Sequence, residues 1–397
     1  MPDSIQSPFI AALNDRVLVA DGAMGTMLQA VDLTLDDFAG LEGCNEILNV
    51  TRPDVVRQVH REYLAAGTDA IETNTFGSNL ANLAEYDIPE RIFELSEAGA
   101  RLAREVADEF STADRPRFVL GSVGPGTKLP TLGHAPFATL RDAYQEQVKG
   151  MLVGGIDAVI VETSQDLLQT KASIIGAKRA MAAEGRVVPI ITQVTVETTG
   201  TMLLGSEIGA ALTALEPLGI DLIGLNCATG PAEMSEHLRT LSKHARIPLS
   251  VMPNAGLPEL GPNGAVYPLS PEELAVALSG FVTEFGTRLI GGCCGTTAEH
   301  LRQVVEAVRD LKPNPRKARP EPGVSSLYQA VPFQQDASVL VIGERTNANG
   351  SKAFRDAMLN AKFDDCIEIA RAQTRDGAHM LDLCVDYVGR DGAVDMA

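Results

Sequence analysis

Short apolar runs rich in valine and isoleucine recur along the chain, separated by longer stretches whose apolar residues step by three or four. The runs predict eight strands, at Val17–Ala20, Ala70–Thr73, Phe118–Gly121, Ala158–Glu162, Pro189–Val194, Leu222–Leu225, Pro248–Met252 and Arg288–Ile290. Their apolar residues are consecutive rather than alternating, which marks strands covered on both faces, as in a parallel sheet clothed by helices. Between strands, Ile92, Leu95, Gly99, Leu102, Val106 and Phe110 form one apolar helix face over 90–110. Ser270-Pro-Glu-Glu273 predicts a capping box with proline at the first helical position, ahead of a stripe through Leu274, Leu278, Phe281 and Phe285. The pattern recurs from Thr296 to Glu299, before Leu301, Val304, Val305, Val308 and a last helical residue at Leu311. Eight βα units predict a (β/α)8 TIM barrel of the α/β class; a doubly wound open sheet is the alternative.

Beyond Leu311 the pattern changes. Residues 312–322 contain four prolines and a local basic excess, a composition incompatible with helix or strand ladders. The expected organisation is a barrel over 1–311, a linker over 312–338 and a second domain over 339–397. That last part predicts a strand at Val339–Ile342, a helix over Phe354–Arg375 and a strand at Met380–Val385. Two βα units cannot close a barrel, so 339–397 is expected to be the truncated opening of one.

Composition narrows the function. The 397 residues carry 33 Lys+Arg against 52 Asp+Glu, a net charge of −19, which argues against nucleic-acid and anionic-membrane partners. Forty-five per cent hydrophobic and 21% charged residues make a globular composition. The segment 1–16 lacks a basic stretch followed by an apolar one, and no run approaches the ~18 apolar residues of a membrane span. A cytoplasmic location with reduced thiols is the expectation.

In a TIM barrel the reactive groups lie at the C-terminal strand ends. Those ends carry Asp21, Glu72, Gly121, Glu162, Gln193, Asn226-Cys227, Asn254 and Gly291-Gly-Cys-Cys-Gly295. Cys227, Cys293 and Cys294 therefore converge on one rim. Adjacent side chains on a regular strand point to opposite faces, so Cys293 and Cys294 need the irregular backbone that Gly291, Gly292 and Gly295 permit. Three thiolates suit zinc with one position open, where a substrate thiol would be held as a nucleophilic thiolate. On spacing alone the trio reads equally as small core residues, or more weakly as a disulfide pair plus a free thiol. Asp21-Gly-Ala-Met-Gly-Thr26 is either a tight turn with a capping carboxylate or a loop whose amides meet a substrate carboxylate. Glu162 and Asn254 are either satisfied rim polars or contacts for a substrate ammonium group. The stretch Gly121–Lys128 lacks the order of a phosphate loop. Cys44, Cys366 and Cys384 have no partner by spacing, and none of the six histidines earns a catalytic role.

Asp21-Gly-Ala-Met-Gly-Thr26, Glu72-Thr-Asn-Thr-Phe76, Gly224-Leu-Asn-Cys227, Met252-Pro-Asn-Ala-Gly256 and Gly291-Gly-Cys-Cys-Gly-Thr296 together resemble the homocysteine S-methyltransferase family over residues 10–311. The resemblance implies that Cys227, Cys293 and Cys294 bind the zinc that activates homocysteine. It also implies that Asp21, Glu162 and Asn254, with the amides of Gly22 and Ala23, surround the homocysteine amino and carboxylate ends. Val341-Ile-Gly-Glu-Arg-Thr-Asn347 and Gly377-Ala-His-Met-Leu-Asp382 resemble the start of the pterin-binding barrel of the cobalamin-dependent methionine synthases. In that family the residues matching Glu344, Asn347 and Asp382 help bind the pterin.

With two of eight strands in place, neither methylcobalamin nor 5-methyltetrahydrofolate is expected to bind this segment stably. The implied function is transfer of a methyl group from methylcobalamin, held by another domain, to homocysteine, giving methionine. A standalone homocysteine S-methyltransferase using S-methylmethionine or betaine is the alternative enzyme. A non-catalytic zinc or amino-acid binding barrel is the alternative from another class.

Overall fold

The computed structural model describes residues 7–261, 264–336 and 338–396; part of the N-terminal segment, residues 1–6, lies outside them. The chain divides into two compact units, Met1–Pro320 and Glu321–Ala397, the division falling inside the proline-rich segment.

In the first unit all eight strands form one sheet: β1 Leu18–Val19, β2 Ala70–Glu72, β3 Phe118–Val123, β4 Ala158–Ser164, β5 Ile190–Val194, β6 Leu222–Asn226, β7 Leu249–Met252 and β8 Leu289–Ile290. Going round the sheet the order is β1-β8-β7-β6-β5-β4-β3-β2, with every pairing parallel. The ring closes between β1 and β2, where the Asp69 N–H donates to Val19 O at 2.7 Å and the Asp69 Oδ2 accepts from Val19 N at 3.1 Å. One residue beyond β1, Asp21 Oδ2 accepts from Glu72 N at 3.0 Å. This is the expected TIM barrel, and the strand residues are buried throughout β3 and β5–β7 because helices cover their outer face.

Inside the barrel, Leu18, Ala20, Phe118, Leu120, Ile160, Leu222 and Leu289 pack into one apolar cluster. An N-terminal helix, Pro8–Asp15, capped by Ser7, completes that cluster from the bottom with Phe9 and Leu13. It is too short to show its period against the strand that follows. The Phe9 ring meets Phe118 edge-on, with centroids 5.4 Å apart. At the same end Asp69 is ringed by Arg16, Arg115 and Arg117 at 3.0, 3.2 and 3.5 Å.

The helix Ile92–Phe110 buries Ile92, Leu95, Gly99, Leu102 and Val106, and Pro271–Phe285 begins at the Ser270–Glu273 capping box. The last barrel helix is shorter than expected at both ends: its N-cap is Thr297, not Thr296, and it ends at Val308, three residues before Leu311. The Thr296 hydroxyl is occupied elsewhere, donating to Cys293 O at 2.7 Å. After the last helix the chain stays on the barrel. Arg316 donates to the carbonyls of Leu241, Ser242, Ala245 and Ile247, which closes the C-terminal end of the helix Pro231–His244.

The second unit opens with a hairpin, Gly323–Ser325 against Ala330–Pro332, within the stretch that reads as linker. Its parallel pair is β9 Ile342–Asn347 with β10 Met380–Cys384. The strand expected at Val339–Ile342 therefore lies further along the chain, because pairing with β10 outweighs the polar character of Glu344, Arg345 and Thr346. The single helix expected over Phe354–Arg375 is two, Lys352–Leu359 and Phe363–Arg375, broken where Ala361 turns left-handed at φ +54°. Among the described residues no helix is long and apolar enough to cross a membrane.

Removing the Phe9 ring (Phe9→Ala) is expected to destabilise the barrel by about 3–5 kcal/mol, read from urea unfolding midpoints. A pH effect follows from His60, fully buried with neither ring nitrogen hydrogen bonded. Burial holds its pKa at about 3 against an ordinary 6.5. The unfolded chain thus takes up a proton that the folded one refuses, and stability present above pH 6.5 is lost as pH falls toward 3. In His60→Leu the loss between pH 7 and 5 should be smaller by about 2 kcal/mol, measured by denaturation at both pH values.

Candidate metal and substrate site

The loops after β6 and β8 bring three sulfurs together. Cys227 Sγ lies 3.8 Å from Cys294 Sγ, and the three Sγ atoms of Cys227, Cys293 and Cys294 all fall within 4.8 Å of one another. They are the one His/Cys/Asp/Glu group with metal-ligand spacing among the described residues.

The backbone achieves this in two ways. Cys227 and Ala228 both adopt left-handed φ of +58°, turning the chain as β6 ends. Cys227 N then donates to Met252 O at 3.2 Å, and Thr229 N to Cys227 O at 2.7 Å. After β8, Gly295 takes φ +78°, whereas Gly291 and Gly292 are needed for close approach. A Cβ on Gly291 would stand 2.9 Å from Asp21 O, and one on Gly292 would overlap the Thr296 side chain. Cys293 N donates to Pro253 O at 2.8 Å, Ala255 N to Cys294 O at 2.9 Å and Gly292 N to Asp21 O at 3.0 Å. The two cysteine loops are thus tied to the ends of β7 and β1.

The sulfurs share their charge unequally. Hydrogen bonds from the Cys227 and Cys293 thiols, with one from Tyr267, pull Cys294 down to about 3 against the opposing effect of burial. Cys293 is pushed well above its usual range by its bonds to Cys227 and Cys294 and by burial. For Cys227 a bond from Cys293 acts downward, but the bond to Cys294, burial and the Cys294 charge outweigh it and leave the thiol at about 12. One thiolate cradled by two thiols is the arrangement a soft divalent cation would convert into three thiolate ligands.

Beside the sulfurs stand three carboxyls, Asp21, Glu72 and Glu162. Glu162 accepts from Ser122 Oγ at 2.5 Å and from Asn226 Nδ2 at 3.3 Å. Burial raises all three; Glu162 is pushed up to about 7 by burial and by the Cys294 charge, against the opposing effect of the Ser122 bond. Asn254 is buried at the end of β7 with its Oδ1 unpartnered, as is Asp21 Oδ1. Gly22 and Ala23 follow Asp21 directly; the Ala23 N–H donates to Thr296 Oγ1 at 3.3 Å and the Tyr63 hydroxyl to Ala23 O at 3.3 Å.

Four contributors are given no site role by the sequence, although Asn226 stands among its strand ends and Thr296 among its helix caps. Asn226 links the sulfurs to the carboxyls: its Nδ2 reaches Thr163 Oγ1 at 2.9 Å, Glu162 Oε2 at 3.3 Å and Cys293 Sγ at 3.9 Å. Its Oδ1 accepts from Thr163 N at 2.7 Å, holding Thr163 at φ +53°. Tyr63 and Thr296 brace the loop after Asp21, and Tyr267, beyond the hairpin Glu259–Gly261/Gly264–Val266, covers Gly295. Only Asn226 carried a signal, its place beside Cys227 at a strand end.

In the second unit Asn347 Nδ2 donates to Asp382 Oδ2 at 3.0 Å across β9 and β10, while Glu344 is exposed on the irregular part of β9 and joins neither.

The profile of the homocysteine S-methyltransferase family matches residues 18–308, most of the chain. The chain belongs to that family of methyltransferases. A pterin binding enzyme profile matches residues 343–397 of this homocysteine S-methyltransferase family member. Among its relatives, the methionine synthase of Mycobacterium tuberculosis (strain ATCC 25618 / H37Rv) is 68% identical over 384 residues, covering 97% of this chain and 32% of the relative. That of Mycobacterium leprae (strain TN) is 65% identical over 392 residues, covering 98% of this chain and 32% of the relative. The chain thus spans about a third of the length of these relatives. The crystal structure of the Escherichia coli homocysteine methyltransferase MmuM in its metallated form shares the barrel fold, with TM-score 0.59 and 23% identity over 75% of this chain and 98% of that one. Its oxidized form gives TM-score 0.57 over the same shares.

Asn226→Ala strips partners from Thr163 N and from the buried Glu162 carboxyl. It is expected to cost about 1–3 kcal/mol in urea unfolding, with Thr163→Ala costing less because the Asn226 carbonyl keeps its backbone donor.

Proposed function

We propose that the barrel binds homocysteine through its sulfur at a zinc ion held by Cys227, Cys293 and Cys294, and delivers that sulfur to a methyl donor, giving methionine. The single observation that carries this reading is the gathering of three cysteine sulfurs at the mouth of a barrel that belongs to the homocysteine S-methyltransferase family. The donor set fits: three sulfurs in mutual reach, one already favouring the thiolate, with neighbouring carboxyls rather than a fourth cysteine. Zinc in such a set would lower the pKa of a substrate thiol and keep it nucleophilic at neutral pH.

The chain's own residues do the rest. Asn226 orients Cys293 and Glu162 together, and Thr296 fixes the backbone of the Cys293 turn. Asp21, Glu162 and Asn254 are the proposed partners of the homocysteine ammonium group, and the Gly22–Ala23 turn is the proposed neighbour of its carboxylate. The thiol proton leaves to solvent when the substrate binds, so the sulfur attacks as a thiolate; the methyl carbon's bond to its donor breaks as the S–CH3 bond forms, the electron pair staying with the donor, and the α-carbon end stays anchored.

The donor in this reading is methylcobalamin on a cobalamin-carrying domain of the same, longer protein, supplied with methyl groups from 5-methyltetrahydrofolate. Similarity to methionine synthases over almost the whole chain and the pterin binding match at 343–397 support it. Glu344, Asn347 and Asp382 are the proposed pterin contacts, and a cytoplasmic setting with reduced thiols goes with the chemistry.

Cys294→Ala is expected to lower zinc content from about one equivalent to near zero and to abolish methyl transfer from added methylcobalamin to homocysteine, by metal analysis and methionine assay. Full zinc content in that variant would refute the ligand assignment, and turnover by the parent protein with S-methylmethionine or betaine would refute the donor.

A further inference from the structure

Three carboxyls from three strand ends face one another. Asp21 follows β1, Glu72 ends β2 and Glu162 lies on β4, and among the described residues no lysine or arginine is ion-paired with any of them. The charges acting on Glu72 are those of Glu162 and Asp21, both of its own sign, and the remaining titratable group facing it is the Tyr63 hydroxyl from the helix Pro53–Ala65. Glu72 and Glu162 are near enough to act on each other, and like charges in one buried site resist ionising together, so the pair favours keeping one proton.

Acceptors are left over. Glu72 Oε1 and Asp21 Oδ1 are buried without a hydrogen-bond partner, and Asp21 is 2% exposed. Buried acceptors that stay unpaired are costly, so the pocket is organised for something that donates. A primary ammonium group is the matching shape and charge: three N–H donors and one positive charge against a group of oxygens with none.

We propose that Glu72 is a substrate-selecting residue: with Asp21 and Glu162 it forms a three-carboxyl cage that admits a thiol substrate only when the substrate carries a cationic α-amino group. The inference rests on the homocysteine reading above and adds Glu72 to it, together with the demand for charge. When the ammonium enters, its charge replaces the retained carboxyl proton, which leaves to solvent. Neutral or N-acylated amino thiols and simple mercapto acids leave the cage protonated and its acceptors unpaired.

The test uses the zinc-loaded full chain and calorimetry with two ligands, L-homocysteine and 4-mercaptobutanoate, which keeps the thiol and carboxylate and lacks the amine. In Glu72→Gln, homocysteine affinity should fall about tenfold while that of 4-mercaptobutanoate and the zinc content stay unchanged. Unaltered homocysteine affinity, or an equal loss for both ligands, would overturn the proposal. Should the variant fail to fold, the parent protein decides alone: measured in buffers of different ionisation enthalpy, homocysteine should release about one proton more than 4-mercaptobutanoate, and equal release overturns the cage. Homocysteine binding that is indifferent to zinc removal would sink the zinc reading instead, with the contrast between the two ligands still deciding the cage.

Discussion

Closure of the ring between β1 and β2 is the constraint on which the site depends. Both strands are very short, and the seam is held by Asp69 N to Val19 O together with two aspartate side chains that accept from the backbone of the opposite strand. The bond from Glu72 N to Asp21 Oδ2 therefore does two things. It shuts the barrel at its upper end, and it holds two carboxyls side by side where a barrel of this kind presents its chemistry. At the lower end Asp69 does the same for the fold alone, its charge balanced by three arginines. The contrast is physical: one aspartate is neutralised by the chain, the other is not.

That imbalance recurs at the sulfurs. Two neighbouring clusters each gather more ionisable acid groups than burial permits to be charged, so the charge concentrates on one sulfur and the carboxyls are pushed toward their neutral forms. Both clusters are complete in shape and incomplete in charge. The proposed zinc and the proposed substrate ammonium are the two cations that would complete them, at opposite ends of one amino-acid thiol. Asn226 bridges the clusters, so the spacing between metal and ammonium is set by a single amide braced on Thr163.

The second unit obeys different packing. Its apolar cluster is limited to Ala348, Phe354, Met358 and Val385 with a few half-buried neighbours, and its strands leave Ile342 and Leu383 about half exposed. A parallel pair needs cover on both faces, which the barrel strands have and these do not. The Asn347–Asp382 bond nevertheless shows the strand ends in register, so local pairing is decided within the unit itself.

All eight barrel strands, the helix stripes and the Ser270 capping box were legible because burial on both faces and helical period leave their mark residue by residue. The three cysteines, Asp21, Glu162 and Asn254 were legible as strand-end residues once the strands were placed. Hidden from the sequence were the Phe9 plug, whose helix is too short to show a period, and the break at Ala361, a left-handed turn without glycine. The Thr296 side chain also left its cap for the cysteine turn, and the Glu344–Asn347 segment became a strand against its polar composition. What the sequence by itself determined was which residues reach the mouth of the barrel, since that depends only on where each strand stops. Which of them touch was decided by the tertiary structure alone, because contacts such as Asp21–Glu72 and Cys227–Cys294 join parts of the chain that meet only when the ring closes, and no local pattern records how far apart two strand ends will stand.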